Sequence, residues 1–356
     1  MRKTVQIFLS LFILSFFSVP AFAEAKVLSS AQAICAEFGS EICELSGTEL
    51  TLSSSEAINI TQAFEIKTSD SLTINLKTKL NFSEPLLINN TTLVVNDLTD
   101  DSAPTITANF ATRNLFNPLI ISEESNLTFN NLKLETSDSV TVFDLGANET
   151  LTINGGTYKT GSFANLRSST IIFNNPSVTV ANSLVNDLCL SSETKVEING
   201  GTYLGSSDDG LLWTSLGCKN LTISAGTFES TSSAETPSIF NVDISDETTE
   251  AEIKAEIESY LAPGSYIYDL EHDSETISYG FKKFMSDKAV QGYWDAGDLF
   301  SNKIIILEDG GRGEVETEET SETEENPNTL DSLPLYSLLF ICSLFALFLV
   351  EKSRYL

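Results

Sequence analysis

Leu151-Thr152-Ile153-Asn154-Gly155-Gly156-Thr157-Tyr158 returns almost unchanged as Val196-Glu197-Ile198-Asn199-Gly200-Gly201-Thr202-Tyr203. In both stretches apolar residues alternate with polar ones, which turns one face of a strand inward. Asn then Gly-Gly mark a bend, because asparagine tolerates left-handed turns and glycine has no side chain to obstruct them. An aromatic residue follows and returns to the core. A looser copy runs from Leu221-Thr222-Ile223 through Ala225-Gly226 to Phe228.

Working outward, the central apolar residues form a series: Leu52, Ile74, Val95, Phe129, Ile153, Phe173, Ile198 and Ile223. The next residue is Asn75, Asn96, Asn130, Asn154, Asn174, Asn199 and finally Ser224. Successive anchors lie 20–25 residues apart, except for 34 between Val95 and Phe129. That longer interval is either one coil with a loop or a short coil missed. A fixed period of this length marks units that bury their apolar faces only against neighbours. The pattern predicts an all-β fold, a single-stranded parallel β-helix (solenoid) over residues 47–247. Stacked coils bring the asparagine amides above one another in a ladder. Eight coils at the spacing of paired strands make a rod of roughly 38 Å. The runs Pro85–Ile88, Pro118–Ile121, Gly210–Trp213 and Ser238–Val242 fit the other faces of the coil. An antiparallel β-sandwich is the competing reading. Scarce two-residue hairpin signals and the recurrent Asn speak against it.

The motif at 151–158 and 196–203 resembles the pectin-lyase-like superfamily of right-handed β-helices, which includes bacterial adhesins and polysaccharide-degrading enzymes. The resemblance implies a right-handed coil. It reports the fold and not the chemistry.

Open ends of a strand stack invite aggregation unless covered. Residues 24–46 supply an N-terminal cap, with Ile34, Phe38, Ile42 and Leu45 at helical spacing across Ser30–Leu45. Residues 248–307 read as a small α+β cap or second unit. Its helix spans Thr248–Leu261 and ends at Pro263-Gly264. Short strands follow around Tyr266–Tyr268, Ile277–Phe281 and Ile304–Leu307.

Both termini are apolar. Arg2 and Lys3, an apolar run from Val5 and Ala21-Phe22-Ala23 make residues 1–23 a secretory signal, cut before Glu24. An uncleaved membrane anchor is the alternative. Residues 333–350, LPLYSLLFICSLFALFLV, are uncharged and, at 18 residues, just long enough for a transmembrane helix. Lys352 and Arg354 in the tail 351–356 favour the cytoplasmic side. The segment 308–332 is acidic and nearly devoid of apolar residues, so it reads as a disordered linker. These ends place the body on the extracellular face of the cell membrane or in the cell wall, held by a single pass. Asn326-Pro327-Asn328-Thr329-Leu330, followed by the apolar span and basic tail, resembles the sorting signal of sortase transpeptidases in Gram-positive bacteria. Pro327 and Thr329 match that pattern, while Asn326 and Leu330 depart from its commonest form. The resemblance implies sortase and the cell wall as partners; a plain membrane anchor is the other reading.

Fifty acidic residues against 20 basic ones give a net charge of −30, which excludes nucleic acid as a partner. Export permits a Cys35–Cys43 disulfide. Cys189 and Cys218 read either as a bridge or as two buried thiols. No cysteine or histidine spacing suits zinc, and no cofactor or metal motif is present. Calcium could bind only weakly, through acidic turns.

An active site is hard to find in the sequence. Asp208-Asp209 is the best pair of candidate catalytic acids and reads by default as a solvated turn. The single histidine, His272, lies outside the coils. Neither Arg113 nor Arg167 has acids at adjacent repeat positions. Tyr266, Tyr268, Tyr279, Tyr293 and Trp294 are candidates for stacking on sugars, whereas Trp213, within Leu211-Leu212-Trp213, reads as core. The sequence therefore predicts a non-enzymatic, adhesin-like or envelope-structural protein that binds a glycan or a host surface protein. The alternative is a surface-bound polysaccharide lyase or glycoside hydrolase.

Overall fold

The period-two strands stack in parallel into three columns per turn. A computed structural model describes residues 25–110, 117–232, 238–284 and 294–308. They form a β-solenoid of about eight turns, of the right-handed type. The first column runs from Glu49–Leu52 through Leu72–Leu76, Thr92–Asp97, Asn126–Asn130, Thr150–Asn154 and Thr170–Asn174. It ends in the leading halves of Lys195–Gly205 and Leu221–Ser230. The trailing halves of those two long strands belong to the second column, so the chain turns that corner without leaving the ladder. The third column, from Lys26–Leu28 to Phe240–Asp243, contains all four additional apolar runs found in the sequence.

Register corrects one anchor. Leu50, not Leu52, lies opposite Ile74. Both leucines are buried, so period-two alternation cannot separate them. Val95 pairs directly with Phe129, so the long interval is one coil with an insertion and no coil is missing.

The asparagines stand in file. Asn199 donates through Nδ2 to Asn174 Oδ1 at 3.0 Å, and Asn174 to Asn154 at 2.8 Å. Asn154, Asn130 and Asn96 continue the file to Asn75 at 2.6–2.8 Å. Asn75 donates to Glu49 Oε1 at 2.6 Å, so a carboxylate terminates the ladder. Every amide points the same way, and such aligned bonds polarise one another. The ladder residues themselves are in strand conformation. The left-handed residue is the next one: Asn131 (φ 55°), Gly155 (φ 65°) and Asn175 (φ 56°). At the far end the file stops. Ala225, not Ser224, pairs with Asn199, because Ser224 occupies a bulge.

The bore is filled in two ways. From Phe129 to Tyr260 nine aromatic rings follow one another, with centroids 4.9–6.5 Å apart. Towards the N-terminus the filling is mainly aliphatic and leaves an apolar cavity of about 70 Å³.

Helix α1, Ala31–Phe38, closes the N-terminal end with Ala31 and Ile34 buried. It is shorter than the helix expected to Leu45. Gly39 ends it at φ 87°, and Cys43–Ser46 turns back as a hairpin strand on Glu49–Leu52, leaving Leu45 partly exposed. Cys35 and Cys43 are bridged, with Cα atoms 5.2 Å apart.

At the other end the parallel sheets finish in antiparallel strands. Lys303–Glu308 pairs with Leu221–Ser230 and with Ser265–Asp269. Trp294–Leu299, a strand absent from the sequence reading, pairs with Phe240–Asp243 and carries Tyr279–Phe284 as the outer strand. Helix α2, Glu250–Ser259, begins in a Thr249/Glu252 capping box and buries Ile253 and Ile257.

Inside this cap Asp298 is fully buried, 3.4 Å from Lys282 Nζ. Burial pushes the Asp298 carboxyl up to about 6, against the pull of Lys282. A raised carboxyl holds its proton more tightly in the folded chain than in the unfolded one. Its favourable contribution is therefore complete below pH ~4 and disappears as pH rises through about 6. Asp298→Asn removes this dependence. Thermal melts should show wild type losing stability relative to the variant between pH ~4 and ~6, with a constant offset above.

Among the described residues no helix is long and apolar enough to cross a membrane. The signal segment 1–23, the linker after Glu308, the sorting motif Asn326–Thr329, the span 333–350 and the tail 351–356 lie outside the described residues.

Candidate functional site

Strand Leu212–Ser215 positions the most distinctive surface residue. Leu212 pairs with Val185 and with Phe240, all three buried in the bore. Alternation then requires the next side chain to face out. Trp213 is accordingly 50% exposed and is not core, contrary to the sequence reading. The same file on the third column carries Asp144, Asn165 and Asn186 on preceding coils; on the next coil it holds Asn241, which is buried. Asn186 Nδ2 donates to Asn165 Oδ1 at 2.8 Å, a second and shorter amide ladder.

Two hollows flank this file and share Asn186 and Trp213. The larger, about 540 Å³, also takes in Asp187, Leu190, Thr214 and Asp243. The smaller, about 210 Å³, is bordered by Thr141, Ser162, Asn182, Ser183 and Asp209. The first is within the usual size of ligand clefts.

A clipped loop forms one wall. After Asp187, at φ 64°, Leu188 is buried and Cys189 is bridged to Cys218, with Cα atoms 5.6 Å apart. Of the two readings of these cysteines, the bridge is the one realised. Asn220 Nδ2 donates to the carbonyls of Leu188 (2.7 Å) and Ser191 (2.6 Å). Leu190 stands at the tip of this loop and is 81% exposed. A wall held this way is organised before a ligand arrives, which lowers the entropic cost of binding.

No protein-family model matches this chain. No curated protein and no solved structure matches it either. The groove must therefore be read from its own geometry.

The predicted acids are divided. Asp209 borders the smaller hollow, where partial burial, then the charge of Asp208, raise its carboxyl above the ordinary range. Asp208 is exposed and accepts a hydrogen bond from Ser232. Arg167, expected to lack an acid on an adjacent coil, has one: its Nη2 is 2.9 Å from Asp144 Oδ2. Burial raises the Asp144 carboxyl, Arg167 opposes that, and the charges of Asp187 and Glu123 add to it. Asp144 thus lies within the field of carboxylates on other coils, of which Asp187 lines the larger hollow. Arg113 lies outside the described residues.

The predicted aromatics lie elsewhere. Tyr266 and Tyr268 alternate with buried Ile267 and Asp269 on the cap strand Ser265–Asp269. Tyr268 Oη donates to Asp273 Oδ1 at 2.5 Å. Tyr279 is half-buried, its ring centroid 6.0 Å from Lys254 Nζ. Tyr293 lies outside the described residues, and Trp294 enters only through its strand pairing with Phe284.

Asp269, Glu271 and His272 form the one group of three metal-capable side chains among the described residues. Their atoms are committed to the fold. Asp269 accepts from His272, Ser301 and two backbone N–H groups, and Glu271 accepts from Asn302 N at 2.8 Å. His272 is exposed, and its hydrogen bond to Asp269 raises its pKa.

Proposed function

We propose that the chain is a non-enzymatic, surface-attached glycan-binding protein, presenting its β-helix on an acidic stalk and binding through the Trp213 groove. The carrying observation is the half-exposed Trp213 between two hollows on an otherwise regular solenoid face. An indole face packs against the apolar side of a sugar ring, while fixed amides such as Asn165 and Asn186 bond its hydroxyls. The apolar termini and the stretch after Glu308 support display outside a membrane, by a single-pass anchor or by wall linkage at Thr329.

Binding of the full-length chain, in detergent or on cells, to a panel of immobilised polysaccharides tests this. Trp213→Ala is expected to weaken binding about 30-fold, the loss of a hot-spot aromatic of ~2 kcal/mol. Unchanged binding would remove the groove from the account.

The Arg167–Asp144 pair on the flank of the coils, with Asp187 in the larger hollow, favours a second reading, a polysaccharide lyase or hydrolase. Against it, Arg167 is ion-paired to Asp144 and lines neither hollow, so it is not placed to act on a chain bound there. New reducing ends from any polysaccharide, abolished by Asp208→Asn or Asp144→Asn, would establish turnover and displace the binding reading.

A further inference from the structure

We infer that the Trp213 groove selects a glycan bearing free amino groups and rejects an anionic one. The inference rests on reading the groove as a glycan site.

Among the described residues, every ionisable side chain lining the two hollows is an acid: Asp187 and Asp243 in the larger, Asp209 in the smaller. Asp187 and Asp243 are exposed, and neither carboxylate has an ion-pair partner among the described residues. Arg167, held by Asp144, lines neither hollow. The groove thus offers an aromatic face and unpaired carboxylates in one hollow.

That combination suits an ammonium group. A cation is attracted to the face of an indole ring, most strongly when partly desolvated. Its N–H groups make short, charge-assisted bonds to carboxylates. A uronate chain meets the same carboxylates as like charges, with no cation in the described lining of either hollow, and the net charge of −30 adds to the repulsion. Asn165 and Asn186 supply donors and acceptors for hydroxyls in either case, so they do not set this preference. The ligand class that the lining fits is a polymer of deacetylated amino sugar.

The test is calorimetric titration of the full chain with three probes: β-1,4-glucosamine oligomers, their N-acetylated counterparts and oligogalacturonate. The pH is kept below the pKa of the amine. The glucosamine oligomer should bind about tenfold tighter than the acetylated one, and high salt should erase the difference. Asp187→Asn/Asp243→Asn should bring the ratio between the two close to ~1. Both positions suit asparagine: residue 187 is left-handed, which asparagine tolerates, and Asp243 is an exposed strand residue. An unchanged thermal melt checks that the double variant is folded. Equal binding of acetylated and free-amine oligomers, or tighter binding of oligogalacturonate, overturns the charge selection and leaves glycan binding standing. Sugar binding indifferent to Trp213→Ala, or none at all, overturns both.

Discussion

Phe163→Ala is expected to destabilise the solenoid by about 3–5 kcal/mol, measured by denaturant unfolding with the midpoint shifted and the slope retained. Phe163 is fully buried, and its ring meets three others: Phe143 and Tyr158 at 5.3 Å and Phe173 at 5.1 Å. Truncation removes a whole ring from water-free packing and leaves a cavity in the middle of the aromatic column. The lining cannot close over it, because each neighbouring ring is already held between coils on strands with fixed register. Aromatic pairs also contribute beyond their buried area. In a stack where each coil contacts only its neighbours, the loss falls on both interfaces of the coil. A loss under ~1 kcal/mol would mean that the column is not close-packed.

Gly156→Ala is expected to cost about 2–5 kcal/mol, from a methyl group on an outward-bending corner. Two effects act together. Gly156 has φ 87°, which an L-residue adopts only under strain. A Cβ there would also stand 2.3 Å from Leu132 O and 2.8 Å from Leu132 N, both backbone atoms of the preceding coil. Backbone in a parallel ladder has no rotamer by which to withdraw. Gly47→Ala separates the two effects. It has φ 65° with nothing within 4 Å of the added carbon, so only conformational strain remains, about 1 kcal/mol. Thermal or denaturant unfolding of the pair measures the steric part by difference. Equal losses would show that coils at this corner do not approach as closely as the geometry states.

The Gly-Gly pair shows how far the sequence could be read. It announced a bend, and a bend is there. That Gly156 and Gly201 also face the backbone of the coil below, Leu132 and Pro176, needed the stacking distance. The asparagine file was legible because one residue type recurred at one phase. The first apolar anchor, by contrast, was misplaced by two residues, since Leu50 and Leu52 satisfy the same alternation. The candidate site was the least legible part. Trp213 follows two leucines, so local hydrophobicity made it core. The available signal was parity: counting outward from Leu212, paired with Val185, turns the indole to solvent. Arg167 and Asp144 are 23 residues apart, one coil, and met only when register was known. Of the aromatics nominated from the sequence, Tyr266, Tyr268 and Tyr279 belong to the cap and not to the groove.

The sequence by itself determined the repeat, its parallel stacking and the inward face of each strand. Periodicity and turn chemistry are local properties, and each coil restates them. The tertiary structure alone decided which outward residues become neighbours. Side chains in adjacent coils lie one strand spacing apart but some twenty residues apart in the chain, so a shift of one residue in register replaces the whole outer surface. The groove around Trp213, with its amides, its carboxylates and its disulfide-clipped wall, is a product of that register.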